Sequence, residues 1–215
     1  YGYIAEKLFE SDEEVAASAY QAGDTRAGDI KYKDLNSDGI IDSYDKAPIG
    51  WGATPEIMYG FGFNLSWKGI ALSAMFQGAA HVDMLVIGEG VTPFQYGMSR
   101  GNLLSNIDDR WTEDNPRQDV FYPRLTPGST NMNYEASTWW LKSADYLRLK
   151  NLQLSYTLPA RVCDKIKMDS FTVFLQGVNV FTLSSFDIWD VELGDGRGDT
   201  YPNISSYSIG LNFNF

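Results

Sequence analysis

The sequence has very few of the residues on which most catalytic and metal sites depend. It contains a single cysteine, Cys163, and a single histidine, His81. One cysteine excludes a disulfide within the chain and any zinc site built from several cysteines. The two residues lie in unrelated sequence contexts, so a catalytic nucleophile–histidine pair is not indicated. The sequence therefore predicts that the protein is not an enzyme.

Basic residues and long apolar runs are also scarce. Lys and Arg number 17 against 28 Asp and Glu, which gives a net charge of −11. This acidity argues against a nucleic-acid partner, because phosphate binding needs a basic surface. No stretch approaches the ~20 apolar residues of a transmembrane helix, and the opening YGYIAEKLFE lacks the features of a signal peptide. A membrane location would require β-strands, whose alternating pattern keeps the mean hydropathy low.

What the chain does contain is glycine, aromatic residues and regular alternation. Between Ile57 and Trp67 every second residue is apolar, and the same holds from Ile70 to Gly78. Only Lys68 and Gly69 separate the two runs, which predicts a β-hairpin with a tight turn.

Three further strands follow the same pattern. Tyr146–Pro159 changes its apolar phase at Lys150-Asn151, which predicts a β-bulge, and Phe171–Leu183 changes phase near Gly177. The closing SYSIGLNFNF, residues 206–215, alternates without interruption. The fold class predicted is therefore all-β with antiparallel strands.

The connections between these strands favour a membrane barrel. Short and long connections alternate, as they do where periplasmic turns are short and extracellular loops are long. The acidic residues concentrate in the segments predicted as loops. The alternative is a soluble, calcium-stabilised β-sandwich that binds carbohydrate, with one face of each sheet buried.

One loop carries a calcium-like motif, KDLNSDGIIDSYD. Its oxygen-bearing residues have the spacing of a D-x-[DN]-x-[DN]-G loop, in which the chain curls around a hard cation and Gly39 permits the sharp turn. The alternative is an Asx-rich turn without metal. If an ion binds, we expect structural Ca²⁺ that rigidifies the loop. The predicted ligands are Asp34, Asn36, Asp38, Ile40 (through its carbonyl), Asp42 and Asp45.

Five stretches that together cover nearly the whole chain carry a family resemblance. They read AGDIKYKDLNSDGIID, PIGWGATPEIMYGFGFNLSWKGIALSAMFQG, STWWLKSADYLRLKNLQLSYTLP, FLQGVNVFTLSSFDIWDVELG and YPNISSYSIGLNFNF. In this order they resemble the C-terminal part of SusC-like (SusC/RagA family) TonB-dependent outer-membrane transporters.

The resemblance implies a transmembrane barrel of about 22 strands in the cell outer membrane, with its long loops extracellular. Such a transporter imports glycans, or peptides, together with a SusD-like surface lipoprotein. The chain resembles only a piece of it: the plug, the remaining barrel strands and the segment that contacts TonB would lie outside this sequence. The other expected partner is outer-membrane lipid.

The predicted organisation has four parts. Residues 1–55 form an extracellular loop with the calcium-like motif, and residues 56–79 form a barrel hairpin. Residues 80–137 form a long extracellular loop, and residues 138–215 supply the last three barrel strands.

This organisation also predicts roles for particular residues. Candidates for substrate contact are three aromatic residues in the external loops: Tyr96, Trp111 and Trp189. The alternative is that these side chains form loop cores shielded from solvent. Trp67, Trp139 and Trp140 are expected at the membrane interface. The resemblance implies that the final strand is the membrane-insertion signal, with its outward side chains being Tyr207, Ile209, Leu211, Phe213 and Phe215.

Overall fold

The computed structural model describes residues 1–94, 103–127, 131–194 and 200–215. The chain forms two compact units, each assembled from separate stretches of sequence. The first comprises Tyr1–Ala53, Asp83–Lys142 and Gly194–Thr200, and the second comprises Thr54–Val82, Ser143–Leu193 and Tyr201–Phe215. No helix in the described ranges is long and apolar enough to cross a membrane.

The second unit is built on one antiparallel sheet of five strands, so the predicted fold class is confirmed. In their order across the sheet, its strands are Ile57–Trp67 (β3), Ile70–Ala80 (β4), Tyr146–Thr157 (β7), Ser170–Ser184 (β8) and Ser206–Asn214 (β9). A short helix, Ala160–Lys165, lies between β7 and β8.

The predicted hairpin is β3 and β4. Its two central turn residues, Lys68 and Gly69, have φ values of 49° and 86°. Positive φ at both positions is the type I′ geometry, whose twist matches that of the flanking strands.

Both predicted phase changes are present. Pairing between β7 and β8 shifts between Leu149 and Asn151, so Lys150 lies at the bulge. On β8 the residues facing this gap are Asn179 and Val180, and Asn179 has a φ of 50°. Because of the bulge, the apolar side chains that precede it and those that follow it lie on the same face of the sheet.

The two faces of the sheet differ in polarity on every strand. Residues directly opposite one another on neighbouring strands share a face, so each row of paired residues belongs to one face. One row across all five strands is apolar, and it consists of Leu65, Leu72, Leu154, Leu175 and Ile209. The adjacent row is polar, and it consists of Asn64, Ser73, Gln153, Gln176 and Ser208.

The apolar face is open to its surroundings. Large apolar side chains on all five strands are exposed, among them Phe61, Leu154, Leu175 and Ile209. In a β-sandwich a second sheet would cover such a face. The described residues contain no second sheet of comparable size, since the other two sheets have two strands each. The structure therefore does not support the soluble sandwich.

The first unit has its own core, whereas the sequence had indicated only irregular loops before the first barrel strand. Ala5–Leu8 (β1) pairs with Ile30–Tyr32 (β2), and Asp12–Ala17 (α1) is capped by the Ser11 side chain. A second pair of strands consists of Asp83–Leu85 (β5) and Leu141–Ser143 (β6). Ser143, the last residue of β6, is assigned to the second unit. The elements are too short to give a clear periodic pattern.

Trp140 belongs to this core, so its expected place at a membrane interface is wrong. It is 1% exposed and stacks on Tyr134, and its Nε1 donates to the carbonyl of Asn133 at 2.6 Å. A fully buried indole needs such a partner for its N–H. Asn133 in turn donates to Asp29 at 2.8 Å, and Arg124 donates to both oxygens of the same carboxylate.

Candidate functional site

The calcium-like loop forms a series of Asx turns. Asp34 accepts the backbone N–H of Ser37 at 2.6 Å and of Gly39 at 2.9 Å. The φ values of these two residues are 62° and 83°, the left-handed region that the sharp turn requires. Asp38 accepts from its own loop as well, through the backbone N–H of Ile40 at 2.9 Å.

Asp45, the last predicted ligand, is buried beneath the loop. It accepts the backbone N–H of Leu35 at 2.7 Å and of Asp42 at 2.9 Å. The hydrogen bond from Asp42 is the main cause that holds the pKa of Asp45 below its ordinary value, against the opposing effect of burial. Asp45 therefore ties the two ends of the loop together as a carboxylate.

The predicted ligands lie in one loop but are engaged with backbone amides. Asn36 turns its Nδ2 toward Asp38, donating at 2.8 Å. Within the described ranges, no group of three or more His, Cys, Asp or Glu side chains converges as a metal site would require. The loop has the sequence spacing of a calcium loop and, in this arrangement, the hydrogen bonds of an Asx turn. The calcium site stays a prediction.

A second site, which the sequence analysis missed, surrounds Arg148 on β7. The Arg148 side chain is 4% exposed. It donates to Asp190 at 2.6 and 3.1 Å and to Glu192 at 2.8 Å. Lys150 and Tyr146 also donate to Glu192, at 2.7 and 3.1 Å. The only signal in the sequence was the presence of two bases in an otherwise alternating strand, Tyr146–Thr157.

Charge is nearly balanced within this cluster. Burial is the largest single influence on the pKa of Asp190 and acts to raise it. Hydrogen bonds from Arg148 and from the backbone of Glu192, together with the charges of Arg148 and Lys150, outweigh burial, so the pKa lies below its ordinary value. Asp190 is therefore ionised and paired with Arg148, and Glu192 accepts hydrogen bonds from Arg148, Lys150 and Tyr146. Basic side chains contact both carboxylates, whereas the general acid of a glycosidase lies in surroundings that favour its protonated form.

A cavity of about 410 Å³ adjoins the cluster, within the second unit. Its lining includes Arg148, Asn179 and Trp189. Trp189 packs edge-on against Phe186, with ring centroids 5.0 Å apart. The volume falls in the range of small-molecule sites.

Two of the three predicted substrate-contact residues lie in the described part of the chain. Trp189 lies at the cavity. Trp111 is 5% exposed, and its ring lies so close to Gly28 that an added Cβ there would be 2.2 Å away. A ring packed this way has no face for a ligand. Tyr96 lies outside the described residues.

The predicted insertion signal forms the exposed side of β9. Tyr207, Ile209, Leu211 and Phe213 share the apolar face of the sheet, and Phe215 follows it. Among the described strands, β9 pairs only with β8.

Sequence relatives point to one class of protein. TonB-dependent receptor P26 of Formosa agariphila is 30% identical over 224 residues, covering 96% of this chain and 21% of that protein. TonB-dependent receptor P3 of the same organism is 25% identical over 228 residues, covering 100% of this chain and 22% of that protein. The chain thus spans about a fifth of the length of the curated relatives it matches. No protein-family model matches the chain.

Solved structures agree with the sequence relatives. The RagAB peptide importer in its open-open state superposes with a TM-score of 0.69 at 26% identity, covering 99% of this chain and 22% of that chain. A structure of the RagAB peptide transporter gives 0.68 at 25% identity, covering 99% and 22%. The class of protein to which this chain is similar, over nearly its whole length, is that of TonB-dependent receptors. Its likeness to RagA, a SusC-like transporter, confirms the resemblance to SusC-like members.

Proposed function

We propose that this chain is the C-terminal part of a TonB-dependent outer-membrane transporter that imports glycans or peptides together with a SusD-like surface lipoprotein. The single observation that carries the proposal is the homology to TonB-dependent receptors over nearly the whole chain. The assignment to the outer membrane and to nutrient import rests on these relatives and on the RagAB neighbours. The same relatives favour transport over catalysis.

The sheet supports a membrane location independently. Large apolar side chains are exposed on each of the five strands, and the row of residues beside the apolar row is polar on every strand. Such alternation fits a wall with lipid on one face and a wet lumen on the other. In the proposed protein, five strands continue into a closed barrel of about 22, because an open edge in lipid would leave backbone groups unpaired.

The partners follow from the same family. The SusD-like lipoprotein is proposed from the likeness to RagAB, and TonB from the similarity to TonB-dependent receptors. The plug, the rest of the barrel and the TonB-binding segment belong to the remainder of the transporter. Residues 1–55 and 80–137 are proposed to lie on the extracellular side, where the calcium-like loop would stiffen the first of them with structural Ca²⁺.

A fractionation experiment tests the location. The full-length gene is expressed in the bacterium that carries it, and membranes are washed with carbonate. We expect the protein in the outer-membrane pellet, released only by detergent. Recovery in the soluble fraction would contradict the proposal and favour the carbohydrate-binding sandwich.

An uptake experiment tests the activity. Fluorescent oligosaccharides and peptides are offered to the parent strain, a deletion strain and a complemented strain. We expect one class to enter the parent and complemented strains at least tenfold faster than the deletion strain. Equal uptake of every probe in all three strains would contradict import.

A further inference from the structure

The connection between β8 and β9 leaves the sheet at the same end as residues 80–137. Ser184, the last residue of β8, pairs with Tyr146, the first residue of β7, and β7 follows residues 80–137 in the chain. In an antiparallel sheet, the connections after alternate strands lie at the same end. Under the proposed function this end is the extracellular mouth of the barrel.

Arg148 shows which face of the sheet the connection covers. It lies directly opposite Gln77 on β4 and Thr182 on β8, and residues paired in this way share a face. Its neighbours on β7, Leu147 and Leu149, belong to the apolar face, because successive side chains of a strand alternate. The Arg148 side chain and the groups that bind it therefore lie on the polar face.

The segment that follows β8, residues 185–193, is attached to this polar face. Its Asp190 and Glu192 accept hydrogen bonds of 2.6 to 3.1 Å from Arg148. Lys150 adds a hydrogen bond of 2.7 Å to Glu192. These contacts are buried or half-buried, so they fix the segment more firmly than surface ion pairs would.

The chain is attached a second time where it returns to the sheet. Asn179, at the bulge of β8, donates from its Nδ2 to the carbonyl of Ile204 at 3.1 Å, and its own carbonyl accepts from the Ser205 hydroxyl at 2.5 Å. Asn203 donates to Glu192 at 3.1 Å and so links the two attachments. Both described ends of the connection are therefore fastened to the sheet and to each other.

The apolar face beside the connection stays uncovered. Phe181 and Leu183 belong to that face, and both are exposed. The cavity of about 410 Å³ lies between the segment and the polar face, because residues of both line it, among them Thr182 and Asp187. In a barrel whose polar face encloses the lumen, the segment thus projects into the lumen and leaves the lipid side free.

We propose that residues 185–193 form a fixed inner lip at the extracellular mouth of the barrel, and that imported substrates pass along its exposed side, which carries Asp187. This inference rests on the proposed import function and assigns part of its path. The lip is fixed and not a moving lid, because its detachment would leave Arg148 and Asp190 as buried charges without partners.

Added bulk on the lip tests this inference. Asp187→Cys in the full-length transporter is modified on intact cells with N-ethylmaleimide or with a long polyethylene glycol maleimide, and uptake is compared with that of the same cells before modification. The probe is the oligosaccharide or peptide that enters in the uptake experiment. We expect the long reagent to abolish uptake, because the polymer fills the mouth, and the small reagent to reduce it less.

The matched control is Asp119→Cys, which replaces an exposed acid in residues 80–137. Cys163 is buried and should not react. The long reagent should leave uptake by the Asp119 variant unchanged, and a gel shift shows that each protein was modified. Uptake that persists with the polymer on residue 187 would overturn the inference, as would an equal loss with the polymer on residue 119.

A second measurement does not depend on import. Leu175 and Gln176 are neighbours on β8 that point to opposite faces. Spin labels on Asp187→Cys and on either Leu175→Cys or Gln176→Cys in the purified full-length protein therefore report the face on which the lip lies. We expect the shorter distance to residue 176, on the polar face.

A distance to residue 175 that is equal or shorter would overturn the inference. If no probe enters the parent strain, the proposed import fails, and the spin labels still decide the position of the lip by themselves.

Discussion

Arg148 and Asp190 are 42 positions apart in sequence and are joined by two hydrogen bonds, of 2.6 and 3.1 Å. This pair, with Glu192, attaches the segment after β8 to strand β7. Both side chains are largely buried. Removing one of them would leave the other as a buried charge without a partner, which strongly destabilises the folded state.

Removing the arginine should therefore detach that segment. We expect Arg148→Met to destabilise the folded protein by about 3–5 kcal/mol, because Asp190 would stay buried without a base while Glu192 would keep only Lys150. The measurement is thermal unfolding of the detergent-solubilised full-length protein, with protease cleavage in residues 185–193 as a local readout. The control is Arg161→Met, an exposed arginine in the helix between β7 and β8. Equal stability of the two variants would show that the cluster does not hold the segment.

Gly210 on β9 lies opposite Phe174 on β8, and the phenyl ring occupies the space above it. An added Cβ would lie 2.2 Å from the Cζ of Phe174. We expect Gly210→Ala to cost about 1–3 kcal/mol through overpacking. Phe174→Leu in the same protein should recover most of that loss, measured as the unfolding temperature. If the double variant is no more stable than Gly210→Ala, the ring is not the cause.

Leu211 and Asn212 are adjacent on the last strand and point to opposite faces. If the apolar face meets lipid, Leu211→Lys should reduce the amount of full-length protein in the outer membrane, because a lysine on a lipid-facing position costs about 2–4 kcal/mol near the bilayer midplane. Asn212→Lys, which places the same charge on the polar face, should be tolerated. Quantitative immunoblotting of membrane fractions compares them, and equal loss in both variants would argue against the assignment of the faces.

Glu14 gives a pH-dependent contact in the first unit. The backbone N–H of Glu10, with help from Lys31 and Lys7, lowers the pKa of Glu14 to about 2 from an ordinary 4.5. A lowered pKa means that this contribution to stability is fully present above pH 4.5 and is lost as the pH falls toward 2. We expect amide protection of β1 and α1 to fall over that window.

Hydrogen exchange of the intact protein, corrected for the intrinsic rate at each pH, measures this effect. Glu14→Gln should flatten the pH dependence, whereas Glu6→Gln, an exposed carboxylate on β1, should not. An unchanged pH profile in the Glu14 variant would rule out its role.

The calcium-like loop can be tested directly. If Ca²⁺ binds there, calorimetric titration of the intact protein should give a signal that the Asp34→Ala, Asp38→Ala double variant loses. Asp119→Ala, which removes an exposed acid far from the loop in sequence, should behave like the wild type. Identical calcium binding in all three proteins would mean that the loop does not bind Ca²⁺ and is an Asx turn without metal.

The sequence by itself determined the strands of the second unit. The hairpin, the bulge at Lys150 and the alternating tail follow from a period of two, which depends only on neighbouring residues. The same alternation identified the apolar face, because a strand's side chains point alternately to opposite sides. The family could be recognised from these stretches together with the calcium-like loop.

Only the tertiary structure decided how distant polar residues are paired. Asp29 meets Asn133 across 104 positions, and Arg148 meets Asp190 across 42. It also placed Trp111 and Trp140 in a core, and brought Trp189 to a cavity with two unsatisfied polar atoms. The physical reason is that burial and hydrogen bonding depend on which segments fold back onto one another, and short irregular segments leave no periodic trace of that choice.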